Sequence, residues 1–290
     1  MLQRWFVFSV LALSIIPFSA QAEGTSEYRI ADTETLTIKS EINQQEHELY
    51  IRLPYKYAKS KKSYPVAILQ DTNFSFPIAS GMTRLMGGRD IEDLILVGIS
   101  YSKDTPPQIS RTRDYTPTYA PNEMGAHSPE AQKHSGKASQ YIQFMEKELI
   151  PMITAKYRID ESNKIFIGHS FGGLLGAYIL LVNPDLFDKY VIGSPSLWYD
   201  NGAIFRLEEE YSKKNKTMHA SVFMYIGSEE SNNNHKNMVE DVLRYGERLE
   251  SPQYAGLSIS TQVLEGASHF SAFPLLLTDA LKRAAPKQKL

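Results

Sequence analysis

The chain has 290 residues, a formal net charge of −2 and no cysteine. Its 31 basic and 33 acidic residues nearly balance, which leaves no electrostatic footprint for nucleic acid or an anionic membrane and points to a small-molecule or glycan substrate. Without cysteine there are no disulfides, thiolate metal ligands or cysteine nucleophile, so stability has to come from core packing.

Met1-Leu2-Gln3-Arg4 supplies a positive start, residues 5–18 an apolar stretch, and Ala20-Gln21-Ala22 a small-x-small cleavage pattern. Together they read as a secretory signal peptide over 1–22. An uncleaved anchor would need roughly 20 apolar residues in a row, whereas Ser9, Ser14 and Pro17 interrupt this run. The expectation is cleavage after Ala22, a periplasmic or secreted product with no stable membrane insertion, and one domain over 23–290.

Segments 35–39 and 48–53 place apolar residues on one face with period two and read as half-exposed antiparallel strands. Segments 65–69, 94–99, 164–167, 190–192 and 221–226 are continuous apolar runs bounded by turn residues, suited to strands buried on both faces of a parallel sheet. Tyr141, Phe144, Met145 and Leu149 recur at helical spacing. Strand and helix alternate, so the predicted fold is α/β: a mostly parallel, doubly wound sheet with antiparallel N-terminal strands. Residues 100–135, rich in Pro, Thr, Ser and Tyr, show no period and read as a long irregular loop of the kind that serves function.

After the strand 164–167 comes Gly168-His169-Ser170-Phe171-Gly172-Gly173, then a helical run through Leu174, Leu175, Tyr178 and Ile179. This is G-x-S-x-G in the strand–turn–helix setting that presents a nucleophilic serine, as in the α/β-hydrolase fold. A serine hydroxyl needs an adjacent base, usually an imidazole held by a carboxylate. His269 follows the last strand-like run, 257–264, sits in a turn, and precedes a helix over 272–283. The chain order Ser, acid, His then places the acid after the strand ending at Ile226, where Glu230 is preferred and Glu229 is the alternative. His169 adjoins the nucleophile but reads as packing, and Asp241 as surface on a helix over 234–249. The amide of Phe171 and one from Gln70-Asp71-Thr72, assigned to Thr72, would hold an oxyanion; Asp71 reads as a turn residue. This chemistry requires no cofactor and no metal.

Five segments carry a family resemblance: Arg111-Thr112-Arg113-Asp114-Tyr115-Thr116-Pro117, Ser135-Gly136-Lys137-Ala138, Glu148-Leu149-Ile150-Pro151 with Tyr157-Arg158, Gly168 to Gly173, and Ser194-Pro195-Ser196-Leu197-Trp198. As a set they resemble the esterases typified by esterase D and by the siderophore esterases that open enterobactin, salmochelin and bacillibactin. The resemblance implies Ser170 as nucleophile and His269 as base, with a carboxylate that some siderophore esterases do without. It also implies that Arg111, in the R-x-x-D-Y-T-P stretch, holds an anionic or catechol-bearing substrate; the other reading of Arg111 is an ion pair with Asp114 that fixes the loop. Gln70-Asp71-Thr72 departs from the common L-D-G at the oxyanion loop. The function expected is ester hydrolysis, with a ferric siderophore lactone as a candidate substrate. A feruloyl or acetyl-xylan esterase and an acyltransferase are the enzyme alternatives, and intact Ser170 and His269 argue against a non-catalytic binding protein.

Overall fold

A computed structural model describes residues 27–232, 237–251 and 254–287; the leader expected over 1–22 lies outside them. Strand β1 (Thr33–Lys39) pairs antiparallel with β2 (Glu46–Arg52). The apolar runs form β3 (Tyr64–Leu69), buried at every residue, β4 (Ile95–Ser102), β5 (Ile159–His169), β6 (Lys189–Gly193) and β7 (Thr217–Gly227). The more exposed β8 (Ala255–Leu264) lies at one edge. Strand order is β1-β2-β4-β3-β5-β6-β7-β8, with β2 antiparallel to β4 and β3 through β8 parallel.

Because β4 and β5 flank β3 on opposite sides, the winding reverses there, and a crevice opens beyond the carboxyl ends of β3 and β5. The sheet is covered on both faces because adjacent residues of one strand feed different cores. Phe166 joins one cluster with Phe144, Leu174 and Tyr245. Its neighbours Ile165 and Ile167 join the other with Phe273, Leu276 and Leu281.

Nine α-helices are described. α1 (Thr72–Met86) follows β3, and α2 (Pro107–Tyr115) and α3 (Pro129–Gln132) follow β4. α4 (Ala138–Phe144) continues through a π-helical turn, Met145–Leu149, into α5 (Ile150–Lys156). α6 (Phe171–Val182) leaves β5 and buries ten of its twelve residues, as a helix apolar all round must. α7 (Tyr199–Lys214), α8 (Met238–Glu250) and α9 (His269–Ala284) complete the set. Among the described residues no helix is long and apolar enough to cross a membrane.

Three expectations change, and a fourth, the start of a helix at 234, falls on residues outside the description. Residues 100–135 contain α2, whose buried side chains include Ser110, Thr112, Arg113 and Asp114; a helix that buries polar groups leaves no apolar period to read. Its core-facing Arg113 donates to Asp114 at 2.7 Å, so the Arg111–Asp114 ion pair does not form. The helix expected from 234 is described from Met238, where the Asn237 side chain accepts from the Glu240 amide; residues 233–236 lie outside the description. His269 is the first residue of α9 rather than part of a turn, because Ser268 and Ser271 form a capping box that makes Ser268 the N-cap and starts the helix at the next residue.

Candidate active site

Ser170 sits between β5 and α6 with φ 60° and ψ −117°. Positive φ at a non-glycine residue costs on the order of 1–3 kcal/mol and persists only where the surroundings enforce it. Here the Ser170 amide donates to Gly193 O at 2.9 Å, and Ser170 O accepts from the Leu174 and Ser196 amides at 2.9 and 3.1 Å. The flanking glycines are steric necessities: a Cβ on Gly168 would lie 2.2 Å from Gly172 O, and one on Gly173 2.8 Å from Gly193 O. Ser170 is half-buried, and its Oγ is 3.4 Å from Ser196 Oγ.

Glu230 follows β7 in a short 3₁₀ turn and is 1% exposed. Its Oε2 is 2.6 Å from His269 Nδ1, and Oε1 accepts from Ser194 Oγ at 2.7 Å and the Gly227 amide at 3.0 Å. Burial works to raise the carboxyl's pKa, but these donors outweigh it and hold it below the ordinary 4.5. A carboxylate accepts only, so His269 Nδ1 carries a hydrogen, which leaves Nε2 as the acceptor in the neutral imidazole. Glu229 is exposed and, with Ser170, Glu230 and His269, lines one cleft of about 470 Å³.

His169 is buried, and its Nε2 donates to His269 O at 2.9 Å. Burial, with the nearby His269, pushes its pKa down to about 3, so it is a neutral support for the backbone of His269. Arg111 projects from α2 to the wall of the cleft. Its Nε and Nη2 donate to Asp71 at 2.8 and 2.9 Å, Nη2 also to His169 O at 3.3 Å, and Nη1 to His127 Nε2 at 3.2 Å. Burial, then the Arg111 charge, takes His127 down to about 4, consistent with an unprotonated Nε2 that accepts.

Phe171 opens α6 with its side chain buried under the Arg111 guanidinium, 5.2 Å from the ring centroid. Thr72 opens α1 with its side chain buried against Gly98, where a Cβ would lie 2.6 Å from Thr72 Cγ2. Any contact of Thr72 with substrate therefore belongs to its backbone amide. The sequence reading did not single out His127, or Ser194 and Ser196 as partners of Glu230 and Ser170; the Ser194-Pro195-Ser196 marker was the available signal for the last two. Trp198 and the 87% exposed Phe270, both lining the cleft, give it aromatic walls. A hydroxyl on a strained turn, an imidazole and a buried carboxylate around one cleft are the components of acyl transfer through a serine.

The family model described as "Putative esterase" matches residues 40–284. The ferri-bacillibactin esterase BesA of Bacillus subtilis is 29% identical over 272 residues, which cover 90% of this chain and 92% of that protein. Among solved structures, the BES protein from Bacillus cereus is similar with a TM-score of 0.78 at 26% identity, over 91% of this chain and all 100% of the other. An IroE-like serine hydrolase from Shewanella oneidensis gives 0.75 at 27% identity, over 87% and 79%. The match over most of the chain's length, on a sheet that carries the elbow serine at its carboxyl edge, means that the chain belongs to this esterase family and is a carboxylic ester hydrolase.

Proposed function

We propose that the protein is an exported serine esterase that opens a siderophore lactone through Ser170, His269 and Glu230. The observation that carries the mechanism is the 2.6 Å contact between buried Glu230 and His269 Nδ1, in the cleft that Ser170 also lines. Ser170 Oγ attacks the ester carbonyl while His269 Nε2 takes its proton, and Glu230 stabilises the imidazolium that forms. The amides of Phe171 and Thr72 receive the oxyanion. Collapse expels the alcohol, which takes the proton back from His269. Water, activated by the same imidazole, then releases the carboxylic acid and restores Ser170.

Substrate class rests on the site and on the relatives together. A ferric tri-catechol lactone is large, anionic and aromatic, and the cleft has Trp198, Phe171 and Phe270 along it with Arg111 in its wall. The relative BesA is a ferri-bacillibactin esterase, and a less complete match, over 36% of this chain, is the apo-salmochelin esterase of Escherichia coli. Export rests on the signal pattern of residues 1–22. The test is kcat/KM on tri-catechol trilactones, with and without iron, against feruloyl sugars and p-nitrophenyl acetate. The lactones are expected to exceed p-nitrophenyl acetate by at least about 100-fold, the scale that binding of remote substrate groups supplies. Lactones no better than the simple ester would remove the siderophore assignment.

A further inference from the structure

We propose that the Asp71–Arg111 pair is a staple that sets the spacing between the two backbone amides receiving the oxyanion, which makes both side chains positioning residues. The inference rests on the reading of Ser170 as nucleophile given above. The two amides belong to Thr72 and Phe171, the first residues of the helices that follow the turns leaving the adjacent strands β3 and β5. A single planar guanidinium spans those loops: it grips the Asp71 carboxylate through Nε and Nη2 and reaches His169 O through Nη2. Asp71 immediately precedes Thr72, and His169 immediately precedes Ser170.

Other features point the same way. Asp71 is 1% exposed and left-handed, φ 55° and ψ 51°, so its conformation needs enforcement. The Tyr101 hydroxyl donates to the same carboxylate at 2.6 Å. Asp71 Oδ2 also lies 3.4 Å from where a Cβ on Gly172 would stand, so the carboxylate packs against the elbow itself. Of the five N–H groups of a guanidinium, the contacts to Asp71, His169 and His127 occupy four. An arginine whose sole task was to grip substrate would not spend most of its donors inside the protein.

The test uses p-nitrophenyl acetate, a neutral ester that offers a cleft arginine no anion to hold. Rates are expressed per active site titrated with a fluorophosphonate, so that misfolded protein does not count. Asp71→Asn, nearly isosteric, is expected to lower kcat by about 10–100-fold, the scale of an oxyanion donor moved by a fraction of an ångström to 1 Å, with KM changed less than about twofold. Arg111→Lys should do the same, and the double variant should be no worse than the poorer single one, because both remove one staple. Wild-type kcat in Asp71→Asn on this ester, or additive losses in the double variant, would overturn the proposal and leave Arg111 as a substrate ligand. Should Asp71→Asn not fold, Tyr101→Phe removes one donor from the same carboxylate: a several-fold fall in kcat at constant KM supports the staple, and an unchanged kcat overturns it. A wild type that neither takes the fluorophosphonate nor cleaves the ester overturns the serine-esterase reading and this one with it.

Discussion

At the scale of single residues the assignment of the acid is a choice between neighbours. Glu230 is buried with three donors on its carboxylate, while Glu229 is exposed and meets the rest of the site through its amide to Ala267 O at 3.1 Å. Glu230→Gln keeps the shape but presents a neutral amide to the imidazole. It favours the wrong tautomer and leaves the imidazolium unstabilised. The expected loss in kcat is on the order of 10²–10⁴-fold, against less than about twofold for Glu229→Gln, measured under saturating p-nitrophenyl acetate. Equal effects of the two substitutions would move the acid elsewhere. Chain order and the end of the preceding strand narrow the acid to Glu229 and Glu230, with Glu230 preferred, but do not separate the two. The partners of the second oxygen of Glu230, Ser194 Oγ and the Gly227 amide, depend on how β6 and β7 lie side by side and could not be read along the chain.

At the scale of elements, what was legible follows from which interactions are short-range. The elbow was readable because strand, glycine, serine, glycine and helix are contiguous, and the buried parallel strands because they are unbroken apolar runs. Helix α2 was not, since its inward face carries Ser110, Thr112, Arg113 and Asp114. Nor was the Asp71–Arg111 pair, forty residues apart in the chain, brought together by the packing of α2 against α6 and β4. The core pair of α2 makes a prediction. Arg113 and Asp114 side chains are 9% and 4% exposed, and Arg113 also reaches Gln45 Oε1 and Ser102 Oγ. Asp114→Ala strands a buried guanidinium and should cost about 3–5 kcal/mol of unfolding free energy, read from urea denaturation. Replacing both residues by apolar ones of similar volume should cost much less. A single-site cost under about 1 kcal/mol would mean that the charge is effectively solvated.

At the scale of the whole molecule, three buried or half-buried histidines couple stability to acid. His47, His127 and His169 all have pKa values lowered chiefly by burial, the last two to about 4 and about 3. Unfolded, each titrates near 6.5. Below that value the unfolded chain binds protons that the folded chain refuses, so the histidine contribution is fully present above pH 6.5 and is lost as pH falls toward the folded values. For nearly fully buried His169 the loss between pH 8 and pH 5 is about 2 kcal/mol. Urea midpoints should therefore drop between pH 8 and pH 5, and His169→Gln should flatten that slope; a midpoint constant across this range would contradict the buried neutral states. All of this surrounds one atom, Ser170 Oγ, held at positive φ where the sheet's winding reverses. The most direct test of its role is labelling by a fluorophosphonate, read by intact mass. The account predicts one adduct on the wild type, located on Ser170, and none on a folded Ser170→Ala variant. A wild type left unlabelled, or a Ser170→Ala variant that still takes the label, would contradict it.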